Sequence, residues 1–494
     1  MAERESSRAR VLGLSWPLLL GVSGFLVVVG FGLGLRDPDV YLHVAVGRWM
    51  MAHGSIPTRD PFSFTMHGAP WVAQEWGSEL ISLALYRLAG WRGLVYFGAA
   101  CFGITLSYLD RFLLRRMEPL HAVLLSCLAA GMMLPYMIDR PHAFVWPLTV
   151  IWMSGLLQAS EERRAPPWWL LGVMLLWVNM HASFILGLAL MVLLAIDSLE
   201  GGNGKEERWT IGKRWGTYCV AAFAVALLNP QGYRLLVFPF HVLGITEMLG
   251  HFKDWRPPDL QHLQVLDIWL VVVIGAAFGG RIRLSWSRAC AVLGLLYMAL
   301  ESNRNVALLG LLSPLLLATS VGSCWRQAAR KTRKAGRLDR LFEILSRPAP
   351  FLAAGAAVVL AGIIAAAVLW NENPTPPALY TPRAGLHAIL SRIAQPRILN
   401  DANFGDYLIF RGVPVFIDAR ADMYGQTFLT KTFSAMALAP GGDFQSLLRN
   451  YRINAILLWP GEPVVRILDR LPAWRCVYRD KQAVAYVRRP GQAS

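Results

Sequence analysis

The run Asp37-Pro38-Asp39-Val40-Tyr41-Leu42-His43 sets two carboxylates two positions apart, with an imidazole one helical turn after the second. Such a group can take up a proton from a hydroxyl. With Glu75 it also offers oxygen ligands to a divalent cation such as Mg or Mn, although no metal ligand is assigned. Arg59 and the pair Glu75-Trp76 follow in the same loop, and Arg140, His142, His181 and Arg304 stand at later helix ends. Ionisable groups at membrane depth are costly and mark functional sites by default. Arg140 and His142, in Asp139-Arg140-Pro141-His142, suit contact with a phosphate. Plainer accounts exist for each. Asp37 fits a helix N-cap, Pro38 the first helical position, and Asp39 the favourable end of the helix dipole. Arg140 can pair with Asp139, Arg304 with Glu301 and His181 with Asn179, and Trp76 suits an interfacial anchor. None of these explains His43.

The elements that must position these groups are mostly apolar. Of 494 residues, 55% are hydrophobic and only 16% charged, and the mean hydropathy is +0.40. A soluble domain carries about a quarter charged residues, so repeated long apolar runs imply a polytopic helical membrane protein. About eleven spans are expected, at 11–33, 92–113, 120–138, 142–159, 167–180, 182–197, 212–229, 264–280, 286–300, 305–322 and 350–370. Residues 167–197 read either as one long helix or as a pair broken at Asn179-Met180-His181. The first span is too long for a cleaved signal and is read as an uncleaved helix. The net charge of +16 raises nucleic acid as a partner, but lysine and arginine kept on one face of a membrane account for it better. Basic clusters fall on alternate loops: Arg4/Arg8/Arg10, Arg111/Arg115/Arg116, Arg163/Arg164, Lys205 to Arg214, Arg281 to Arg288, and Arg326 to Arg347. The positive-inside rule then puts the N-terminus in the cytoplasm and the tail outside. The six cysteines form no close pair, so neither a disulfide framework nor a zinc site is indicated.

Residues 1–370 thus read as a transmembrane domain whose first external loop, 34–91, bears two amphipathic interfacial helices near 38–53 and 74–89. Residues 371–384 read as a linker. Residues 385–494 read as a small extracytoplasmic α/β domain, with strands expected at Arg397–Leu399, Val415–Ile417, Ala455–Leu458, Cys476–Tyr478 and Ala483–Val487.

An acidic pair just after the first span, two interfacial helices, many spans and an outer tail resemble the GT-C superfamily of glycosyltransferases. That superfamily includes dolichyl-phosphate-mannose–protein mannosyltransferases, aminoarabinose transferases of lipid A and oligosaccharyltransferase catalytic subunits. The Asp37–His43 run, Gly47-Arg48-Trp49, Asp60-Pro61-Phe62-Ser63-Phe64, Asn400-Asp401, Gly405-Asp406-Tyr407-Leu408 and Phe416 through Asp422 are similar to a bacterial branch of it. The resemblance implies transfer of a sugar from a polyprenyl-phosphate donor to a polysaccharide, glycolipid or protein outside the bacterial cytoplasmic membrane. It implies Asp39, or its neighbour Asp37, as general base. It gives His43, Arg59, Glu75, Trp76, Arg140, His142, His181 and Arg304 roles in holding donor or acceptor. Some relatives bind a divalent cation between acidic residues and others work without one. Three alternatives stay open: an O-antigen polymerase or ligase, a transporter or lipid flippase, and a non-catalytic scaffold.

Overall fold

The long apolar runs of the first 371 residues are mostly helical, because a helix satisfies its own backbone hydrogen bonds where water is scarce. The structure is a computed structural model that describes residues 13–200, 204–243, 255–279, 282–329, 336–371 and 374–489. Among the basic residues used above, Arg4, Arg8, Arg10, Arg281, Arg330, Lys331, Arg333 and Lys334 lie outside the described residues, as do the ends of the 11–33 and 264–280 spans and part of the linker. The chain divides into two compact units. One is Met1–Gly34 with Arg92–Gly232 and Phe252–Asn373; the other is Leu35–Trp91 with Tyr233–His251 and Pro374–Ser494.

The first unit is a helical bundle. Among the described residues, four helical stretches are long and apolar enough to cross a membrane: Trp91–Leu114, Pro119–Tyr136, Asn303–Ser323 and Phe351–Trp370. Trp16–Gly30 and Val265–Phe278 are apolar but shorter. Length and composition therefore support four of the expected spans in full. Some of the others are interrupted. The run from 142 is broken into Pro141–Phe144 and Trp146–Glu161, and the 167–197 run into Leu170–Val178 and Phe184–Glu200. Small residues let helices approach closely, as membrane packing favours. A Cβ on Gly103 would lie 2.6 Å from the Gly21 carbonyl oxygen, and one on Gly310 would lie 2.7 Å from Met132 Cβ.

The second unit combines the first loop with the tail. Its sheet has the order β1-β2-β4-β3, formed by β1 (Ile398–Asn400), β2 (Ala455–Leu458), β3 (Trp474–Arg479) and β4 (Val484–Arg488). β1 and β2 are parallel, whereas β4 runs antiparallel to both β2 and β3. The strand expected at Val415–Ile417 does not form. Pro414 lacks an N–H for a ladder, and Val415 makes only isolated bridges with Ser63 and Ile398. The first of these stitches loop to tail, with Phe64 N–H donating to the Val415 carbonyl at 3.0 Å and Val415 N–H to that of Phe62 at 3.2 Å. Two helices carry the loop, Asp39–His53 and Trp76–Ala89. Gly54 closes the first in the left-handed region at φ 62°, where glycine carries no Cβ penalty. Tyr41, Tyr86, Trp91, Tyr407 and Phe410 interlock edge-on or tilted, with ring centroids 4.6–5.8 Å apart. That cluster packs the first loop helix on the tail helix Ala402–Phe410.

Candidate active site

The site is built where the two loop helices cross. Asp37 accepts a hydrogen bond from the Asp39 N–H at 2.9 Å, which is the capping geometry of a helix start. Asp39 sits in the first turn, where the helix dipole favours its charge. One turn on, His43 is 4% exposed. Its Nδ1 lies 3.9 Å from Glu75 Oε2 and 3.8 Å from Glu79 Oε1. Those gaps are too long for hydrogen bonds, and neither ring nitrogen, nor Glu79 Oε2, has a hydrogen-bond partner. Burial pushes the imidazole pKa down, but Glu79, Glu75 and Asp39 outweigh it and raise the value overall. Glu79 is raised chiefly by burial, against His43 and Arg420. Gly47 makes the crossing close, since a Cβ there would stand 2.4 Å from the Glu79 carbonyl oxygen.

His43, Glu75 and Glu79 offer ligand atoms all within 4.8 Å of one another. One nitrogen and two carboxylates is a donor set that suits Zn or Mn. Ligands about 2.1 Å from one ion at tetrahedral angles stand about 3.4 Å apart, so the widest gap here would have to close by about 1 Å to hold one. The oxygen set expected from the sequence, Asp37, Asp39 and Glu75, is not the group that converges. Glu79, which sequence reasoning passed over, replaces the aspartates. Its signal was spacing, one helical turn after Glu75.

Behind this group lie further buried charges. Asp60 and Asp418 are each 1% exposed, and Arg420 is 5% exposed. Arg420 reaches Asp60 Oδ1 at 2.8 Å and Asp418 Oδ2 at 2.7 Å. Its guanidinium stacks over Trp71 at 4.6 Å. Asp60 also accepts from the Phe62 and Ser63 N–H groups, and Asp418 from the Tyr424 hydroxyl at 2.8 Å. Burial pushes Asp418 up, yet Arg420 and these hydrogen bonds hold it below the usual carboxylate range. Asp406 is fully buried, with Oδ2 lacking a hydrogen-bond partner. Burial, and then the charges of Asp39, Asp418 and Asp37, hold its pKa well above the usual range. Its carboxyl thus lies within electrostatic reach of the Asp37–Asp39 pair.

Arg59 donates to the Gly68 carbonyl at 2.9 Å. It lines a cleft of about 540 Å³ with Arg234, Trp71 and Tyr233. Trp76 opens the second loop helix and packs against the core of this unit.

The remaining residues expected at the site belong to the helical bundle. His142 Nε2 lies 3.2 Å from the Tyr136 carbonyl, and its ring centre is 6.3 Å from that of His181. His181 Nδ1 meets the Ser183 hydroxyl at 2.8 Å. Asn179 turns instead to the carbonyls of Leu175 and Leu228. Arg140 stands at the N-cap position of the short helix Pro141–Phe144, with no capping hydrogen bond from its side chain, and the Arg304 guanidinium stacks on Trp255 at 4.5 Å. Asp139 is fully buried, and neither of its oxygens has a hydrogen-bond partner. Its carboxylate therefore does not form the pair with Arg140 that the sequence allowed.

No family model and no curated protein matches the sequence. Solved structures do. ArnT from Cupriavidus metallidurans bound to undecaprenyl phosphate superposes with a TM-score of 0.50 at 14% identity, covering 96% of this chain and 98% of that one. The archaeal oligosaccharyltransferase AglB from Archaeoglobus fulgidus, in complex with an inhibitory peptide and a dolichol-phosphate, gives 0.50 at 10% identity over 90% of this chain and 69% of its own. The chain has a GT-C fold. The long apolar helices are in keeping with a membrane location.

Proposed function

We propose that this chain is a glycosyltransferase of the bacterial cytoplasmic membrane, moving a sugar from a polyprenyl-phosphate donor to an acceptor outside. The observation that carries the reading is a GT-C fold over nearly the whole chain, with a carboxylate pair opening the first loop helix. The lipid phosphates bound by ArnT and AglB support the donor class. In this reading about eleven spans cross the membrane, the N-terminus is cytoplasmic and the tail is external.

Asp39 is the general base. As Asp39 takes the acceptor hydroxyl proton, the acceptor oxygen bonds the anomeric carbon. The bond from that carbon to the phosphate oxygen breaks, its electron pair leaves with polyprenyl phosphate, and the configuration inverts. Arg59, Arg140, His142, His181 and Arg304 are proposed contacts of the donor phosphate, whose departing charge such donors stabilise. Trp76 is proposed to stack on a sugar. His43, Glu75 and Glu79 would hold a divalent cation, which when bound supplies a fixed positive charge.

The test is release of polyprenyl phosphate by lipid-reconstituted protein given a panel of polyprenyl-phosphate sugars. Asp39→Asn is expected to lower kcat by about 100-fold or more. Asp37→Asn, which keeps an oxygen for the cap, is expected to lose less. Equal release by wild type and both variants would remove the pair from catalysis.

A further inference from the structure

At the basic ends of the helices Trp91–Leu114 and Trp146–Glu161, with Val306–Ala329 beside them, the bundle holds a cleft of about 680 Å³. Tyr108, Arg111, Arg115, Gln158, Trp169 and Thr319 line it, together with Arg116, Glu161, Glu162 and Arg164. Its charges do not balance. Glu161 is paired by Arg116 at 2.6 Å and by Arg288 at 3.5 Å, and Glu162 by Arg164. Both carboxylates of the cleft are therefore spoken for. Arg111 lies in the last turn of the helix Trp91–Leu114 and Arg115 four positions on, in the turn just past its end, and both are exposed. Among the described residues they make no hydrogen bond or ion pair.

Two adjacent guanidiniums with no acceptors present a fork that matches a phosphate in charge and geometry. The setting selects which phosphate. The helix that ends between the two arginines is one of the four able to span a membrane. Trp168 and Trp169, 58% and 59% exposed, flank the cleft in the way interfacial tryptophans mark the headgroup level. Tyr108, one turn before Arg111, and Trp169 add an apolar wall beside the charged floor, as a glycerol backbone with its acyl chains requires.

We propose that this cleft binds the headgroup of an anionic phospholipid, with Arg111 and Arg115 clamping its phosphate. The site is separate from the loop helices and serves membrane seating rather than sugar transfer. Arginines placed at helix ends merely for topology would attract anionic lipid diffusely, without a saturable site.

The experiment is native mass spectrometry of the full chain in detergent, titrated with phosphatidylglycerol, cardiolipin or phosphatidylcholine. Wild type is expected to retain one anionic lipid with a preference of about tenfold or more over phosphatidylcholine. Arg111→Gln/Arg115→Gln is expected to abolish the preference, and the exposed tail pair Arg449→Gln/Arg466→Gln to keep it. No preference in wild type, or the same preference in the Arg111/Arg115 variant, overturns the proposal. Displacement of the lipid by equimolar glycerol phosphate would make the ligand a soluble anion and would also overturn it. A second reading avoids altering the arginines. Brominated phosphatidylglycerol should quench wild-type fluorescence more than brominated phosphatidylcholine, and Trp169→Phe should remove the difference; equal quenching by the two lipids counts against the site.

Discussion

Asp139 carries a carboxyl group with no partner for its charge. Its oxygens press against Gly34 and Gly98, so that a Cβ on either glycine would come within 2.0 Å of them. Burial alone pushes its pKa up to about 7. The folded protein thus holds a proton there that the unfolded chain, with an ordinary aspartate near 3.9, gives up earlier. Between about pH 4 and pH 7 the folded state binds more protons, so stability from this group is full at low pH and is lost as pH rises. Asp139→Asn removes the dependence. Thermal unfolding in detergent should show the variant more stable than wild type at pH 8, on the order of a few kcal/mol, with little difference at pH 4.5. A wild-type-like profile in the variant would mean that the carboxylate is solvated. Nothing in Asp139-Arg140-Pro141-His142 announces this isolation, because the two glycines that make it are distant in the chain. Asp37 is the opposite case. Its capping role follows from Asp-Pro-Asp at a helix start, and the structure has that hydrogen bond.

At the scale of elements, the loop helices were readable because their ends are written in local chemistry. Pro38 opens the first, Gly54 closes it, and Gly90 closes the second. Their crossing was not readable. It depends on Gly47, whose missing side chain lets the Trp76–Ala89 backbone approach at Glu79. The same crossing turns Glu79 toward His43, a neighbour that the oxygen set offered by Asp37, Asp39 and Glu75 does not include. Gly47→Val should force the helices apart and cost about 1–3 kcal/mol. Hydrogen exchange should show faster opening of 39–53 and 76–89, while the bundle helices exchange as before. Unchanged exchange in the loop would mean that the helices can slide to make room. The tail shows the same limit. Its sheet strands announce themselves as apolar runs, whereas Val415 pairs with a loop segment that lies 352 positions earlier, a choice no local pattern encodes.

At the scale of the whole molecule, Arg420 joins distant parts of the sequence by pairing with Asp60 as well as with its neighbour Asp418. Around Asp418 the contacts form a charged network, in which Tyr424 also donates to Asp418. Arg420→Ala would strand two buried carboxylates, a loss of about 3–5 kcal/mol. Arg420→Lys should rescue little, since an ammonium lacks the planar fork that serves both partners and stacks on Trp71. Limited proteolysis should cut both variants within 54–73, where wild type resists. Resistance in Arg420→Ala would show that the backbone bridges at Ser63 and Phe64 suffice.

The first loop leaves the ribosome early, but the groups that neutralise Asp60 and receive Thr65, whose hydroxyl bonds the Phe416 carbonyl 351 residues later, arrive near the end of synthesis. Closing so long a separation is slow. The loop helices therefore wait without their tail partners until translation is nearly finished. A polypeptide that stops short of Arg420 is left with a loop it cannot close and an uncompensated acid in it, a form that cellular proteases can tell from the finished product.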